Sequence, residues 1–571
     1  MSNVIADAVG DGATRVDTAD DAGAHGIPSV LARQWITAAA LFLASAAFVL
    51  WRNSEVAVLV DIAYPLNTAT RIALGEVPYA QFPLAQAPGE FLVQAMLIKL
   101  FGAQYVVQIA YAAIVGGIAT VLTYAIAARL LAGALPLPRL FAAVLAIALV
   151  PLGVYAIYPH PFYDSDACVL MLAALAATLV ALDVRTRSRA VLAGVLLVIP
   201  LFMKQNAGGA FLVLMVASLA LHAWSRRDAR RVVRWITLAA ASALLVEVVV
   251  LQLVVGVDNY VRWAWTFALA GRGVTLERLQ EFAAPVLLVV LITLILRRVD
   301  PGRRVAIVAA ALAVLLIVDV DKVALLIFAP GFFPPVMIGA CAFSGERMRR
   351  DGFTFDLLLP FVLLGTTLGV LQSQALVGSS FGIFPLLIVA MATATRDGAE
   401  LFPRRRIAVA RAAAALALVL TISGCLYTLT NARLAFVDVN APGPVVRSTF
   451  PTLAGLSARG PYIEDLDDIL VWTQVHVPAE DGFVFLPGED PVFYALGRRP
   501  ALPSVYFYDV ASPYTPAELA TIADERGLRW VFVKDRLQLT QAPPLHEAIV
   551  DALTARATLV ARIGSYRVYR R

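Results

Sequence analysis

DIAYPLNTATRIALGEVPYAQFPLAQAPGEFLVQAMLIKLFG, residues 61–102, follows the first long apolar segment of the chain. It is too polar for a second bilayer span and too regularly patterned for a random loop. Asp61 opens it at the foot of that apolar segment. Ala63, Leu66, Ala69, Thr70, Ala73 and Leu74 then recur at helical spacing, and Gly75 closes the turn. Pro78, Pro83 and Pro88 force an extended path, because proline fixes its own φ and biases the residue before it away from helix. Phe91 to Leu100 returns to an apolar helix. An amphipathic segment lying on a membrane with an acid at its edge is expected to wall an active site.

Composition places this stretch in a membrane protein. The 571 residues are 60% hydrophobic and 15% charged, with mean hydropathy +0.77, against about 45–50% apolar and about 25% charged in soluble domains. The net charge of +5 does not point to nucleic acid, because the basic residues sit in short loops between apolar segments. Cys168, Cys341 and Cys425 lie in or beside apolar segments without metal-ligand spacing, and no structural disulfide is expected. Residues 1–34 read as a disordered tail, small and acidic with Asp7, Asp11, Asp17, Asp20 and Asp21. No basic region with a short apolar core opens the chain, so the first span is expected to be its own insertion signal.

About thirteen spans of helical length follow, near 35–51, 104–128, 140–157, 167–183, 190–203, 207–223, 235–255, 283–296, 305–318, 323–343, 356–371, 381–395 and 407–427. The fifth and sixth read equally as one broken hairpin. Six loops rich in arginine, from Arg129 and Arg139 through Arg404, Arg405 and Arg406, alternate with poor ones. The positive-inside bias makes the rich set cytoplasmic, together with the N-terminus. The loop 52–103 and everything after about residue 428 then face outside. In 428–571 charge rises and long apolar runs stop. A helix over 463–475, a buried strand FVFL at 483–486, a helix started by Pro491, a helix capped by Thr515 before Pro516, a strand WVFV at 530–533 and a hairpin across Gly564-Ser565 argue a small α/β domain.

Several residues are candidates for chemistry. Asp61 reads as a solvated loop acid or as a general base within reach of an attacking hydroxyl. The loop Tyr158-Pro-His-Pro-Phe-Tyr-Asp-Ser-Asp166 sets Asp164 and Asp166 beside His160. Such a pair holds a divalent cation through oxygen ligands or caps the helix that follows. Lys204, flanked by Gln205 and Asn206, is a snorkelling lysine or a phosphate partner at the bilayer surface. Arg262 and Arg272, near Trp263 and Trp265, are alternative phosphate partners. Asp319, Asp321 and Lys322 interrupt an apolar region and read as a short external turn. Gln372, Gln374, Ser379 and Ser380 form a polar loop that lines a cavity or joins two spans. No nucleotide-binding loop, G-x-S-x-G or H-E-x-x-H occurs.

With these residues in place, the chain resembles the GT-C superfamily of polytopic glycosyltransferases. It is most similar to the bacterial branch that includes protein O-mannosyltransferase-like enzymes and the lipid A aminoarabinose transferase. The resemblance rests on Asp61…Tyr64…Arg71…Gly75-Glu76-Val77-Pro78-Tyr79…Pro88-Gly89, on Asp164-Ser165-Asp166, on Lys204-Gln205-Asn206, and on about thirteen spans followed by an external α/β domain. It implies a polyprenyl-phosphate sugar donor and a glycan, lipid or protein acceptor at the outer face of a bacterial cytoplasmic membrane. By analogy Asp61 is the catalytic base. Many members carry Asp-Glu at this point, and here Ile62 follows, so Asp164 or Asp166 is expected to supply the second carboxylate. Tyr64, Arg71, Tyr79, His160, Lys204, Gln205, Arg262 and Gln372 are the expected substrate-binding set. No cofactor is firmly implied; a divalent cation on Asp164 and Asp166 stays open. One-step displacement would invert the anomeric centre. The competing reading is a transporter or flippase of a lipid-linked glycan, for which Glu247 in the seventh span is the one fitting acid.

Overall fold

The computed structural model describes residues 27–268, 276–320, 333–372, 382–430, 443–507, 512–538 and 545–571. Helices fall in each of the thirteen apolar windows. The first is α1 (Trp35–Asn53), followed by α2 (Leu59–Ala73) and α3 (Gly89–Phe101) in the opening loop. The bundle continues with α4 (Tyr105–Leu131), α5 (Pro138–Ile147), α6 (Tyr163–Val184), α7 (Arg187–Met203), α8 (Gln205–Ser225) and α9 (Arg230–Val254). It ends with α10 (Leu276–Ile295), α11 (Pro301–Val320), α12 (Phe333–Asp351), α13 (Phe355–Gln372), α14 (Phe384–Leu401) and α15 (Arg406–Thr430). Among the described residues, six helices are long and apolar enough to cross a membrane.

Three expectations are corrected. Ile27–Arg33, placed in the disordered tail, is a helix that buries Ile27 and Val30, three residues apart, in the bundle core. The window 140–157 is not one helix. Its helix breaks after Ile147, a single turn Leu149–Leu152 follows, and an irregular buried stretch runs to Phe162. Pro151, Gly153, Pro159 and Pro161 account for the break. Finally, α2 does not lie free on a membrane surface. Val58, Val60 and Tyr64 join the bundle core, while Leu59, Ile62 and Leu66 join a second core with Phe450, Phe493 and Tyr494. With apolar residues on all sides rather than on one stripe, the helix is clasped from both faces.

The second core belongs to a C-terminal lobe. Strands β1 (Val445–Arg447) and β2 (Ser457–Arg459) form a separate antiparallel pair. A four-stranded sheet has the order β3-β4-β6-β5, with β3 (Gly482–Leu486) parallel to β4 (Leu528–Lys534). β5 (Thr558–Ile563) and β6 (Tyr566–Arg570) form the antiparallel hairpin. Alternation sends Phe483, Phe485, Trp530 and Phe532 to one face, under α16 (Tyr462–His476). Val484, Leu486, Val531 and Val533 go to the other, under α17 (Pro516–Glu525) and α18 (Leu545–Thr554). Phe485 and Phe532 stack with ring centroids 4.2 Å apart. Thr515 and Glu518 form a reciprocal capping box at the start of α17. The short helix Val492–Leu496 begins one residue later than expected, with Pro491 as its cap position.

Candidate functional site

Asp61 sits in the first turn of α2, where a carboxylate complements the helix dipole. The N–H groups that open this helix are met from two distant segments. Val58 N–H donates to His160 Nε2 (3.2 Å) and Leu59 N–H to Gln538 Oε1 (2.7 Å). An accepting Nε2 leaves the His160 proton on Nδ1, which faces the Tyr105 oxygen at 3.5 Å. Pro65 stands inside α2 and lacks the N–H that would bond the Asp61 carbonyl, so the helix is locally open at the acid. Among the described residues no donor or cation engages the Asp61 carboxylate. It is partly exposed, yet burial pushes its pKa up from 3.8 to about 7.

Tyr64, one helical turn on, and Tyr506 of the C-terminal lobe flank this acid, with ring centroids 5.5 Å apart. Burial raises the Tyr506 phenol, and the charge of Asp61 raises it further, so the lobe presents a neutral hydroxyl beside the acid. The recess between α2 and residues 503–506 is lined by Tyr64, Thr68, Arg71, Phe82, Ser504 and Tyr506.

The second part of the site is built at the corner between α7 and α8. Lys204 is the single extended residue between them. Gly208 permits the corner, since a Cβ there would meet the Pro200 carbonyl at 2.2 Å. Gly89 lets the opening loop reach it; a Cβ at that position would lie 2.5 Å from the Phe202 carbonyl. Lys204 Nζ lies 3.1 Å from Asp164 and 4.2 Å from the Tyr163 ring centroid. Lysine and aspartate are 4% and 5% exposed, so each offsets the other's desolvation. A continuous aromatic shelf joins this pair to Asp61. Tyr64 meets Phe91 at 5.7 Å, and Phe91 meets Tyr163 at 6.5 Å.

Asp164 and Asp166 part company. Asp166 accepts from Tyr111 and Tyr155, both at 2.6 Å. Tyr155 holds a left-handed backbone (φ 63) to do so, a conformation rare for a bulky residue. The carboxyl of Glu90, fully buried on α3, lies against Asp166, and Gln94 donates to it at 2.8 Å. Burial, then the neighbouring Asp166, pushes the Glu90 carboxyl well above the carboxylate range. Neither aspartate caps α6, whose cap position is Phe162 with no side-chain bond. The donor set does not form a cation cage: an ammonium holds Asp164 and two phenols hold Asp166. Among the described residues no three His, Cys, Asp or Glu side chains group as metal ligands.

Arg71 is 1% exposed, pairs with Glu76, donates to the Leu502 and Pro503 carbonyls, and packs on Phe82 at 4.3 Å. Tyr79 donates to the Gln86 carbonyl at 2.6 Å. The Gln205 amide is engaged by Ala85, Ala87 and Ala264 backbone groups. Arg262 is exposed on a π-helical stretch, Val261–Phe267. Gln372 ends α13. Asp319 lies in the last turn of α11, not in an external turn. Arg272, Asp321, Lys322, Gln374, Ser379 and Ser380 lie outside the described residues.

Sequence reading missed Glu90, Tyr111, Tyr155, Tyr163 and Tyr506. It also missed the cluster that docks the lobe. There, Lys534 lies 3.0 Å from Glu489 and 2.9 Å from Asp490, all buried. Gln538 adds bonds to Leu59 N–H and to the Ala57 carbonyl (2.8 Å), and Asn67 donates to the Asp490 carbonyl at 2.9 Å. The one available signal was Glu90 itself, an acid at the head of an apolar helix beside Pro88-Gly89.

No family profile matches the chain, and no curated protein matches it. Solved structures do. One is the archaeal oligosaccharyltransferase AglB from Archaeoglobus fulgidus, in complex with an inhibitory peptide and a dolichol-phosphate. It is 12% identical, with a TM-score of 0.47 over 88% of this chain and 70% of that one. ArnT from Cupriavidus metallidurans bound to undecaprenyl phosphate is 14% identical, with a TM-score of 0.45 over 93% and 97%. Its apo state is 14% identical, with a TM-score of 0.47 over 94% and 98%.

Proposed function

We propose that this chain is a membrane glycosyltransferase that moves a sugar from a polyprenyl-phosphate donor to an acceptor hydroxyl. The observation that carries the reading is a carboxylate, Asp61, that no cation engages among the described residues, tuned to about 7 and joined by an aromatic shelf to Lys204. A base with a pKa near ambient pH suits proton abstraction from a hydroxyl. Asp61 takes that proton as the acceptor oxygen bonds to the anomeric carbon. The carbon–oxygen bond to the lipid phosphate breaks on the opposite side, and the electron pair leaves with the phosphate. The configuration inverts. Lys204, with three N–H donors, neutralises the departing charge while Asp164 orients it. Tyr64, Phe91 and Tyr163 offer the ring faces on which sugar C–H groups pack. Asp166 and Glu90 position the start of α6.

The finer topology belongs to the same proposal. Thirteen spans, with the arginine-rich loops cytoplasmic, put α2, α3 and the C-terminal lobe on the outer side of a bacterial cytoplasmic membrane. The lobe then closes the site from above and contributes Tyr506.

The test is a paired assay of wild type and Asp61→Asn in membranes loaded with radiolabelled polyprenyl-phosphate sugar, at matched protein abundance. Label moving into a new product with wild type alone supports the reading. Equal transfer by both removes Asp61 from the chemistry. No transfer, with label crossing the bilayer only when the protein is present, replaces transfer with lipid flipping.

A further inference from the structure

A groove of about 550 Å³ runs between α11 and α15 at the end of the bundle away from the C-terminal lobe. Ala306, Ala310 and Ala313 form one wall, and Ala412 and Ala415 form the other. These residues recur at helical spacing on faces turned outward, so the groove opens toward the surrounding lipid. A second, partly open apolar pocket of about 290 Å³ adjoins it and shares Ala309, Ala412 and Leu416 with it.

The mouth of the groove is basic. Arg404, Arg405 and Arg411 line it. Arg405 is held by Asp300 at 3.3 Å. Among the described residues, no carboxylate pairs with Arg404 or Arg411. Elsewhere at this end the less exposed arginines are paired: Arg129 with Asp183 and Asp356, and Arg396 with Asp397. Arg411 stands five residues into α15, about 7.5 Å along the axis at 1.5 Å per residue, inside a window apolar enough to cross a membrane. A cation at that depth is costly unless an anion or water meets it.

We propose that this groove binds an anionic phospholipid, with its phosphate on Arg404 and Arg411 and an acyl chain along the alanine walls. Charge complementarity selects the headgroup, and the short alanine side chains leave the space along which an acyl chain packs. Basic pockets between membrane helices recognise acidic headgroups by the same physics. The site lies at the opposite end from Asp61 and does not depend on the proposed reaction.

The experiment uses full-length protein, delipidated in detergent, with native mass spectrometry against dioleoyl phosphatidylglycerol and dioleoyl phosphatidylcholine. Phosphatidylglycerol is expected to bind more tightly. Arg404→Gln and Arg411→Gln each weaken it about fivefold, and together about 25-fold. Arg411→Lys, which keeps the charge, retains most of the affinity and controls for folding. Ala310→Phe, which fills the groove, lowers binding of both lipids. Unchanged preference in the double glutamine variant overturns the proposal. So does displacement of phosphatidylglycerol by glycerol 3-phosphate alone, which would mean a headgroup site without a chain. A shift in oligomeric state on Ala310→Phe, with lipid binding intact, would instead make the groove a contact between copies.

Discussion

Away from the exposed Arg404 and Arg411, the two ends of the helix bundle handle their more buried charges in different ways. At the arginine-rich end, Arg129 bridges Asp183 (2.7 Å) and Asp356 (2.8 Å), while Arg347 pairs with Asp397 (3.0 Å) and Glu400 (2.6 Å). Acids and bases alternate there and tie α4, α6, α12, α13 and α14 together. At the other end, among the described residues, no cation pairs with Asp61, and the buried Glu90 lies against a second acid, Asp166. Complete pairing offsets desolvation and makes structure. Incomplete pairing leaves a group whose charge is free to change, which is what acid–base chemistry needs. The Lys204–Asp164 pair stands between these cases, because its ammonium is paired yet lies on the aromatic shelf.

The largest expected effect tests the incomplete side. Asp61→Asn should lower the transfer rate by about 10²- to 10⁴-fold, the range general-base catalysis contributes, with no loss of thermal stability. A variant that kept its activity would break the contrast at its main point. Next comes the mixed case. Lys204→Met strands a buried Asp164 and should cost about 3–5 kcal/mol of stability, read as a lowered Tm. Adding Asp164→Asn should restore stability without restoring transfer. If activity returned with stability, Lys204 would belong with the structural pairs. Arg129→Met at the paired end should cost less, about 1–3 kcal/mol, because Asp183 and Asp356 keep partial access to water, with KM and the pH profile of the folded fraction unchanged.

The pH dependence sharpens the same contrast. Asp61 must be ionised to act as base, so kcat/KM should rise with pH through about 7, and Asp61→Asn should lose that limb. Stability follows the opposite sign. Below pH 3.8 the acid is neutral in folded and unfolded chains alike. Between 3.8 and about 7 the folded state binds the proton more tightly, so stability falls as pH rises, and above about 7 the full penalty remains. Asp61→Asn should therefore raise Tm over wild type at pH 8, and the difference should vanish near pH 4. A Tm gap independent of pH would mean that the acid is not desolvated.

The helices were legible because hydropathy and arginine spacing repeat over twenty residues or more, and the lobe because FVFL, WVFV and Thr515-Pro516 are local signals. Lys204 was legible for the same reason, as a basic residue in a loop set otherwise poor in them. Its pairing with Asp164 was not, because forty positions separate the two and only the corner at Gly208 brings them together. Arg71 and Gln205 carry the chemistry for substrate binding, and the backbone carbonyls and N–H groups that they also hold are distant in sequence, which residue type cannot reveal. Tyr506 is more than four hundred residues from Asp61 and carries no motif. It enters the site only because the lobe clasps α2.

That clasp gives the smallest expected effect and the most discriminating one. Gln538 spans Ala57 and Leu59 like a rung at the head of the Asp61 helix, 2.8 Å and 2.7 Å from their backbone groups. Gln538→Ala strands a buried N–H and should cost about 1–3 kcal/mol. The stability loss alone would say little, because any buried hydrogen bond gives one. The pH profile says more. If docking of the lobe keeps water from Asp61, loosening it should hydrate the acid and move the ascending limb of kcat/KM from about 7 toward 3.8. Gln538→Glu should move it the other way, because a second negative charge near α2 disfavours ionisation of the first. If both variants lose stability while the limb stays at about 7, the bundle alone sets the acid, and the lobe closes the site without tuning it.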